Sequence, residues 1–255
     1  MKNIAFSHGR SVQNSSFGLS APHHLRLATA CTLNWLPALL GLLCSVHTHA
    51  ELVDAWTFNT TEGSGVTFTS SGPRQTVGEQ YRCEWVQTPG GQGLRFDGAT
   101  SRAVVRDSDN YGTEFKALTV ECWIKPDKQA MEGYRVLITK YHRANELYVT
   151  LRDGRFGHYP TPRDTEPLTP DQWHHVVYVA EGIGKGEEII YVDGKERARQ
   201  PSEWKGIGKS DSNIEIGVVD GKSEIFCGVI DEIRLYDHGL AADEVAAHFK
   251  AGPKQ

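Results

Sequence analysis

The sequence predicts an all-β protein, a sandwich or barrel of antiparallel strands followed by one short helix. Three observations carry that prediction. Apolar residues alternate with other residues over short runs. Gly, Asp, Asn and Pro break those runs at close spacing. The long amphipathic helices that an α/β chain interleaves with its strands are missing from this pattern.

Taken in order, Ala55–Phe58 is the first strand-like run. Gly93–Gly98 puts Leu94 and Phe96 on one face and turns at Asp97-Gly98. In Leu118–Ile124, Leu118, Val120, Cys122 and Ile124 share one side, and Thr119, Glu121 and Trp123 the other. Pro126 stops that strand, because it has no N–H to give to a central ladder. Leu147–Leu151 alternates again before the tight turn Asp153-Gly154. Trp173, His175, Val177 and Val179 fall opposite His174, Val176 and Tyr178. Ile189–Val192 runs into a second hairpin signal, Asp193-Gly194, and Ile214 and Ile216 precede Gly217. In Val229–Tyr236, strict alternation sets Val229, Asp231, Ile233 and Leu235 against Ile230, Glu232, Arg234 and Tyr236. Leu240–Phe249 has helical spacing, starts without a Ser or Thr cap and ends at Gly252-Pro253.

The 255 residues suit one large domain. Leu33–Leu43 is a short apolar run with basic residues before it and Thr48-His49-Ala50 behind it, the order of a secretory signal peptide. It is too short to span about 30 Å of hydrocarbon as a helix. Residues 1–50 are therefore read as a leader cleaved after Ala50, 51–250 as one domain and 251–255 as a tail. The stretch before the apolar run is long for a leader, and a start nearer Leu25 would give an ordinary one. Gly41-Leu42-Leu43 before Cys44 is a poor lipobox, so no lipid anchor is expected. The expected location is secreted, periplasmic or at the cell surface, with no membrane span in the mature chain.

Of 27 Lys and Arg against 32 Asp and Glu, three of the basic residues and none of the acidic ones lie in the leader. The rest holds 24 against 32, a formal charge of −8. A net acidic body argues against non-specific nucleic-acid binding, which needs a basic face. Cys83, Cys122 and Cys227 remain after the leader, enough for at most one internal disulfide in an oxidising compartment. No pair has the spacing of a zinc site.

Six pieces in order resemble the laminin-G-like, concanavalin A-like jelly-roll family. They are Leu52–Phe58, Gly93–Gly98, Leu118–Pro126, Gln172–Val177, Ile190–Lys195 and Gly228–Tyr236, with Leu240 and Asp243-Glu244-Val245 behind. The resemblance runs from about Leu52 to Phe249. It implies two packed antiparallel sheets, a jelly roll, and a curved face that often carries sugar or protein ligands. It also implies a structural calcium ion at the sandwich edge. Asp231 matches the acid of the last strand, and Ser70 stands where an early Asp is usual. Asn59 and backbone carbonyls are the other candidate ligands.

Two carboxylates are needed for glycoside hydrolysis, and sandwich glucanases place Glu, Asp and Glu on alternate residues of one strand. No such run occurs here; Asp231-Glu232 are adjacent, and Glu187-Glu188 read as a solvated edge. A lyase wants a Tyr or His base near Arg, and Tyr141-His142-Arg143 with His158-Tyr159 supply those types. For recognition, flat rings outside the core matter most. Tyr141, Tyr159, Trp204 and Tyr111 are the candidates, with Trp204 alternatively a loop Trp folded back over the sandwich, while Trp56, Trp123 and Trp173 are assigned to the core, and His174 and His175 to strand packing. The favoured expectation is non-catalytic binding of an extracellular glycan or surface protein. A polysaccharide-degrading enzyme and a purely structural adhesion domain are its rivals.

Overall fold

The computed structural model describes residues 51–59, 65–106, 111, 115–140, 147–160, 163–208 and 212–253. The leader and the residues Tyr141, His142 and Arg143 lie outside the described residues. The strands are β1 (Leu52–Trp56), β2 (Thr67–Thr69), β3 (Val77–Tyr81), β4 (Glu84–Thr88), β5 (Gly91–Asp97), β6 (Arg102–Val105), β7 (Leu118–Pro126) and β8 (Tyr134–Lys140). They continue as β9 (Leu147–Arg152), β10 (Arg155–His158), β11 (His174–Ala180), β12 (Glu187–Val192), β13 (Lys195–Pro201), β14 (Ile214–Ile216) and β15 (Cys227–Tyr236), and α1 (Ala242–Ala251) follows.

Among the described residues these strands form two antiparallel sheets. The eight-stranded sheet runs β13-β12-β11-β7-β15-β5-β4, with β1 added against β15. The seven-stranded sheet runs β10-β9-β8-β14-β6-β3-β2. Leu118, Val120, Cys122 and Ile124 of β7 face Leu147, Val149, Leu151 and Phe156 of the other sheet across one continuous apolar core. That is the alternation the sequence predicts. Asp153 and Asp193 take φ of 51° and their following glycines φ of 73°, the left-handed pair that a two-residue hairpin turn demands.

The opposite face of β7 and β11 is also dry. Val177, Val179, Ile189, Tyr191 and Tyr236 pack with Leu240 and with Val245 of α1. Phe249 stacks on Trp123 at 5.9 Å between ring centroids. Trp123 is therefore buried, but beneath the helix rather than between the sheets. Trp173 lies just ahead of β11 and is half-buried. Glu244 caps α1 by accepting the Ala241 N–H at 2.8 Å, the half of a capping box that needs no Ser or Thr.

Three expectations change. Strict alternation fails in β15, where a bulge between Asp231 and Arg234 shifts the register and Glu232 takes φ of 54°. Ile230, Ile233 and Leu235 therefore share the core, and Asp231 pairs with outward Trp123 instead of sharing a face with Ile233. Glu188 is 1% exposed, not a solvated edge. Its carboxylate accepts the Tyr178 hydroxyl at 2.9 Å and the N–H groups of Glu203 and Trp204 at 2.7 and 2.8 Å. Cys83, Cys122 and Cys227 are all free thiols, so the permitted disulfide is not formed among them.

Candidate ligand-binding face

Strand β10 ends at His158, and Tyr159 extends its ladder by donating its N–H to the Tyr148 carbonyl at 3.0 Å. Side chains alternate across a strand, so neighbours in sequence go to opposite faces. His158 pairs with core residue Val149 and turns inward. Its ring lies flat on Tyr178, 4.5 Å between centroids and 7° apart, and the residue is buried. Tyr159 turns outward and is 46% exposed.

On that outer face Tyr159 meets two more tyrosines. Its ring is 5.3 Å from Tyr148 and 6.0 Å from Tyr134. Arg152 lies 5.0 Å from the Tyr134 ring, a cation–π placement that holds the guanidinium beside the cluster. Tyr148 is itself buried against Val136 and Val219, and its hydroxyl donates to Glu224 at 2.6 Å. The arrangement is one exposed ring on two supporting rings, rimmed by Arg152, Glu224 and Asp153. A flat apolar surface beside charged hydrogen-bonding groups suits a pyranose or furanose ring, whose faces are C–H and whose edges are hydroxyl. Tyr134 and Tyr148 escaped the reading of the sequence. The signal was available: Tyr148 alternates with core residues Leu147 and Val149, so it must face away from the core.

The other ring candidates do not reach this face. Trp204 is 4% exposed and belongs to the core between the sheets. Glu188 gathers the backbone of Glu203 and Trp204 and so folds the segment after β13 back over the sandwich. Tyr111 is 1% exposed and donates its hydroxyl to Asp54.

The expected calcium donors do not form one set. Ser70 donates to Asp54, a different buried carboxylate, which also accepts Thr76 at 2.8 Å. Asp54 faces Leu235, four residues along β15 from Asp231. Asn59 is spent on the β4–β5 turn, donating to the Gly90 carbonyl at 2.9 Å and accepting the Gln92 N–H at 2.7 Å. Gly91, at φ 124°, leaves room for that amide; a Cβ there would lie 2.0 Å from the Asn59 oxygen. Asp231 accepts the Thr88 hydroxyl at 2.6 Å and the Glu232 N–H at 2.7 Å. Burial pushes its carboxyl up to about 6 against the pull of those hydrogen bonds. Among the described residues no three His, Cys, Asp or Glu side chains converge as a metal centre. The residues present do not fit a calcium ion at Asp231.

A family model described as the concanavalin A-like lectin/glucanases superfamily matches residues 97–246. A comparison with curated proteins gives no match. Among solved structures, domain 4 of an extracellular GH43 arabinanase from Geobacillus stearothermophilus, in complex with arabinotriose, is similar at 18% identity and TM-score 0.59. That match covers 78% of this chain and 98% of the other. The binding domain of Paraclostridial Mosquitocidal Protein 1 aligns at 16% identity and TM-score 0.60, covering 79% of this chain and 52% of that one. Trypanosoma rangeli sialidase, in complex with 2,3-difluorosialic acid, aligns at 17% identity and TM-score 0.54, over 78% of this chain and 33% of its own. At these identities the likeness is one of fold. No described helix is long and apolar enough to cross a membrane.

Proposed function

The chain belongs to the concanavalin A-like lectin/glucanases superfamily, and on that footing we propose that it is a non-catalytic recognition domain that binds carbohydrate outside the cell. The observation that carries this reading is the Tyr159 ring, exposed over about half its surface and backed by Tyr134 and Tyr148. Apolar rings stay exposed in a folded protein at a cost, and a rigid cluster of them rimmed by charge is the usual form of a sugar platform. The signal-peptide pattern supports export, and so does the likeness to a domain of an extracellular arabinanase.

Arabinotriose is the first probe, since the similar arabinanase domain holds it. A glycan array run on the purified chain widens the search. Saturable binding with no new reducing ends or unsaturated products is the expected result. Tyr159→Ala should weaken it by roughly tenfold, the effect of losing a central aromatic contact, and leave Tm nearly unchanged. Binding is expected to survive chelation of calcium, because Ser70 is tied to Asp54 and not to Asp231. Product release from a bound polymer would overturn the non-catalytic reading. Unaltered affinity in the Tyr159 variant would move the site elsewhere.

A further inference from the structure

We propose that a groove at the other end of the seven-stranded sheet is a second ligand site, one that takes the anionic group of an acidic oligosaccharide. The groove encloses about 670 Å³, within the range of small-ligand sites. Arg82, Arg102 and Lys222 are its charged lining residues, and no Asp or Glu lines it. In a body of formal charge −8, three cations facing one concavity run against the average of the molecule.

Each cation is placed for an incoming anion. Arg82 and Lys222 are exposed and make no ion pair among the described residues. Arg102 is half-buried, with its guanidinium 4.7 Å from the Tyr81 ring and one N–H reaching the Gly221 carbonyl at 3.4 Å. Stacking fixes the plane of the fork and leaves other N–H donors for a carboxylate or sulfate, which it can grip with two parallel bonds.

Among the neighbouring acids, half-buried Glu215 lies beside the groove, where the Gly221 backbone and the charge of Arg102 act on it; the others are engaged elsewhere. Glu79 is paired with Arg106 at 2.9 Å and takes the Tyr81 hydroxyl as well. Asp97 accepts the N–H groups of Ala99, Thr100 and Ser101 at 2.8, 2.7 and 2.9 Å. Against the upward push of partial burial, those bonds and the Thr100 hydroxyl hold it well below the usual carboxylate range. Asp220 is exposed but is not part of the lining.

The apolar wall narrows the ligand class. Val66, 44% exposed, and Ile225 line the same groove, offering contact to the C–H face of a sugar that a free inorganic ion would not use. An extended polyanion such as duplex DNA would leave the groove and meet the acidic remainder of the body.

The test is calorimetric titration of the whole chain with tri-galacturonic acid, a heparin-derived hexasaccharide, neutral arabinotriose and a short DNA duplex. At least one acidic sugar should bind, and its affinity should fall as salt rises from about 50 to about 300 mM, where screening shortens to a few ångströms. Preference between the two acidic sugars separates carboxylate from sulfate. Lys222→Glu and Arg82→Glu, both on the surface, should each weaken that binding about tenfold at unchanged Tm. Arg102→Lys, which keeps the charge and loses the fork, should weaken it too. Tyr159→Ala should leave acidic-sugar binding intact, which separates this groove from the tyrosine face. Failure of both acidic sugars to bind, or wild-type affinity in the two charge reversals, overturns the proposal. So does loss of acidic-sugar binding in Tyr159→Ala, and so does equal affinity for DNA.

Discussion

Asp231 shows what burial does to one carboxyl. Its folded pKa of about 6 lies above the value near 4 of an unfolded Asp. The folded state therefore keeps its proton where the unfolded state has lost it. Stability should fall as pH rises through the window from about 4 to about 6, by on the order of 2 kcal/mol. Asp231→Asn keeps an oxygen for the Glu232 N–H and offers its amide to the Thr88 oxygen. Urea unfolding at pH 4.5 and pH 7.5 should show the variant more stable than wild type at the higher pH, with the gap closing at the lower. A variant less stable at both would mean that the charged form is the one the fold requires.

Trp204 makes a second case. Its indole N–H is buried with no hydrogen-bond partner among the described residues, so among them the ring contributes packing alone. Trp204→Phe should cost within about 1.5 kcal/mol, and Trp204→Ala about 3–5 kcal/mol, as read by chemical denaturation. A Phe variant as damaged as the Ala variant would show that the N–H has a partner.

At the scale of elements, α1 is held by polar groups as much as apolar ones. Glu121, 0% exposed, accepts from His175 at 2.7 Å, His248 at 3.0 Å and the Tyr236 hydroxyl at 3.0 Å. Burial pushes its carboxyl up, yet the two histidines win and hold it well below the usual range. A depressed carboxyl contributes stability above its unfolded pKa and loses it only as pH falls through the folded value. His248→Ala should therefore move the acid-unfolding midpoint to higher pH, followed by circular dichroism. An unmoved midpoint would leave His175 as the residue that keeps Glu121 charged. Phe249, 37% exposed, covers Trp123; Phe249→Ala should cost about 1 kcal/mol, discounted for that exposure, and shift tryptophan emission to the red.

Elements also mark where the sequence is legible. The Asp-Gly turns at Asp153 and Asp193 and the apolar face of β7 follow from local chemistry, and the structure agrees with each. The bulge in β15 does not, because nothing in Val229–Tyr236 shows that Glu232 adopts a positive φ; the neighbouring strands impose it. Of the two readings the sequence leaves open for Trp204, the structure selects the ring folded back over the sandwich, and Glu188 is buried for a related reason. A Trp in a loop and paired acids on a strand look exposed until a tertiary hydrogen bond joins them. Of the tyrosine cluster, alternation places Tyr148 on the outer face as it does Tyr159, but that the two meet Tyr134 there follows only from the pairing of β8, β9 and β10.

Across the whole molecule two of the three described thiols, Cys122 and Cys227, are held apart by the sheet itself. Gly228, next to Cys227, pairs with Pro126, four residues along β7 from Cys122. That is roughly 13 Å of strand, beyond the ~6.8 Å Cα separation a disulfide tolerates. Burial pushes Cys83 up to about 12 and Cys227 up to about 11, so little thiolate is present at neutral pH. Adding dithiothreitol should leave Tm unchanged, and native thiols should react slowly with a disulfide reagent. A reductant-dependent fall in Tm would reveal a bond that the fold does not contain.

The central place of β15 has a further consequence, for the order in which the chain can acquire shape. Of the described strands β15 is the last to be synthesised, yet it lies between β7 and β5 and carries β1 as well. Without it the eight-stranded sheet is a ribbon of β13, β12, β11 and β7, a separate β4–β5 hairpin and an unpaired β1. A nascent chain on the ribosome thus can complete the seven-stranded sheet, but not the eight-stranded one, before β15 emerges. Completion of that sheet is therefore set by the meeting of the first and last described strands, β1 and β15, which are far apart in sequence.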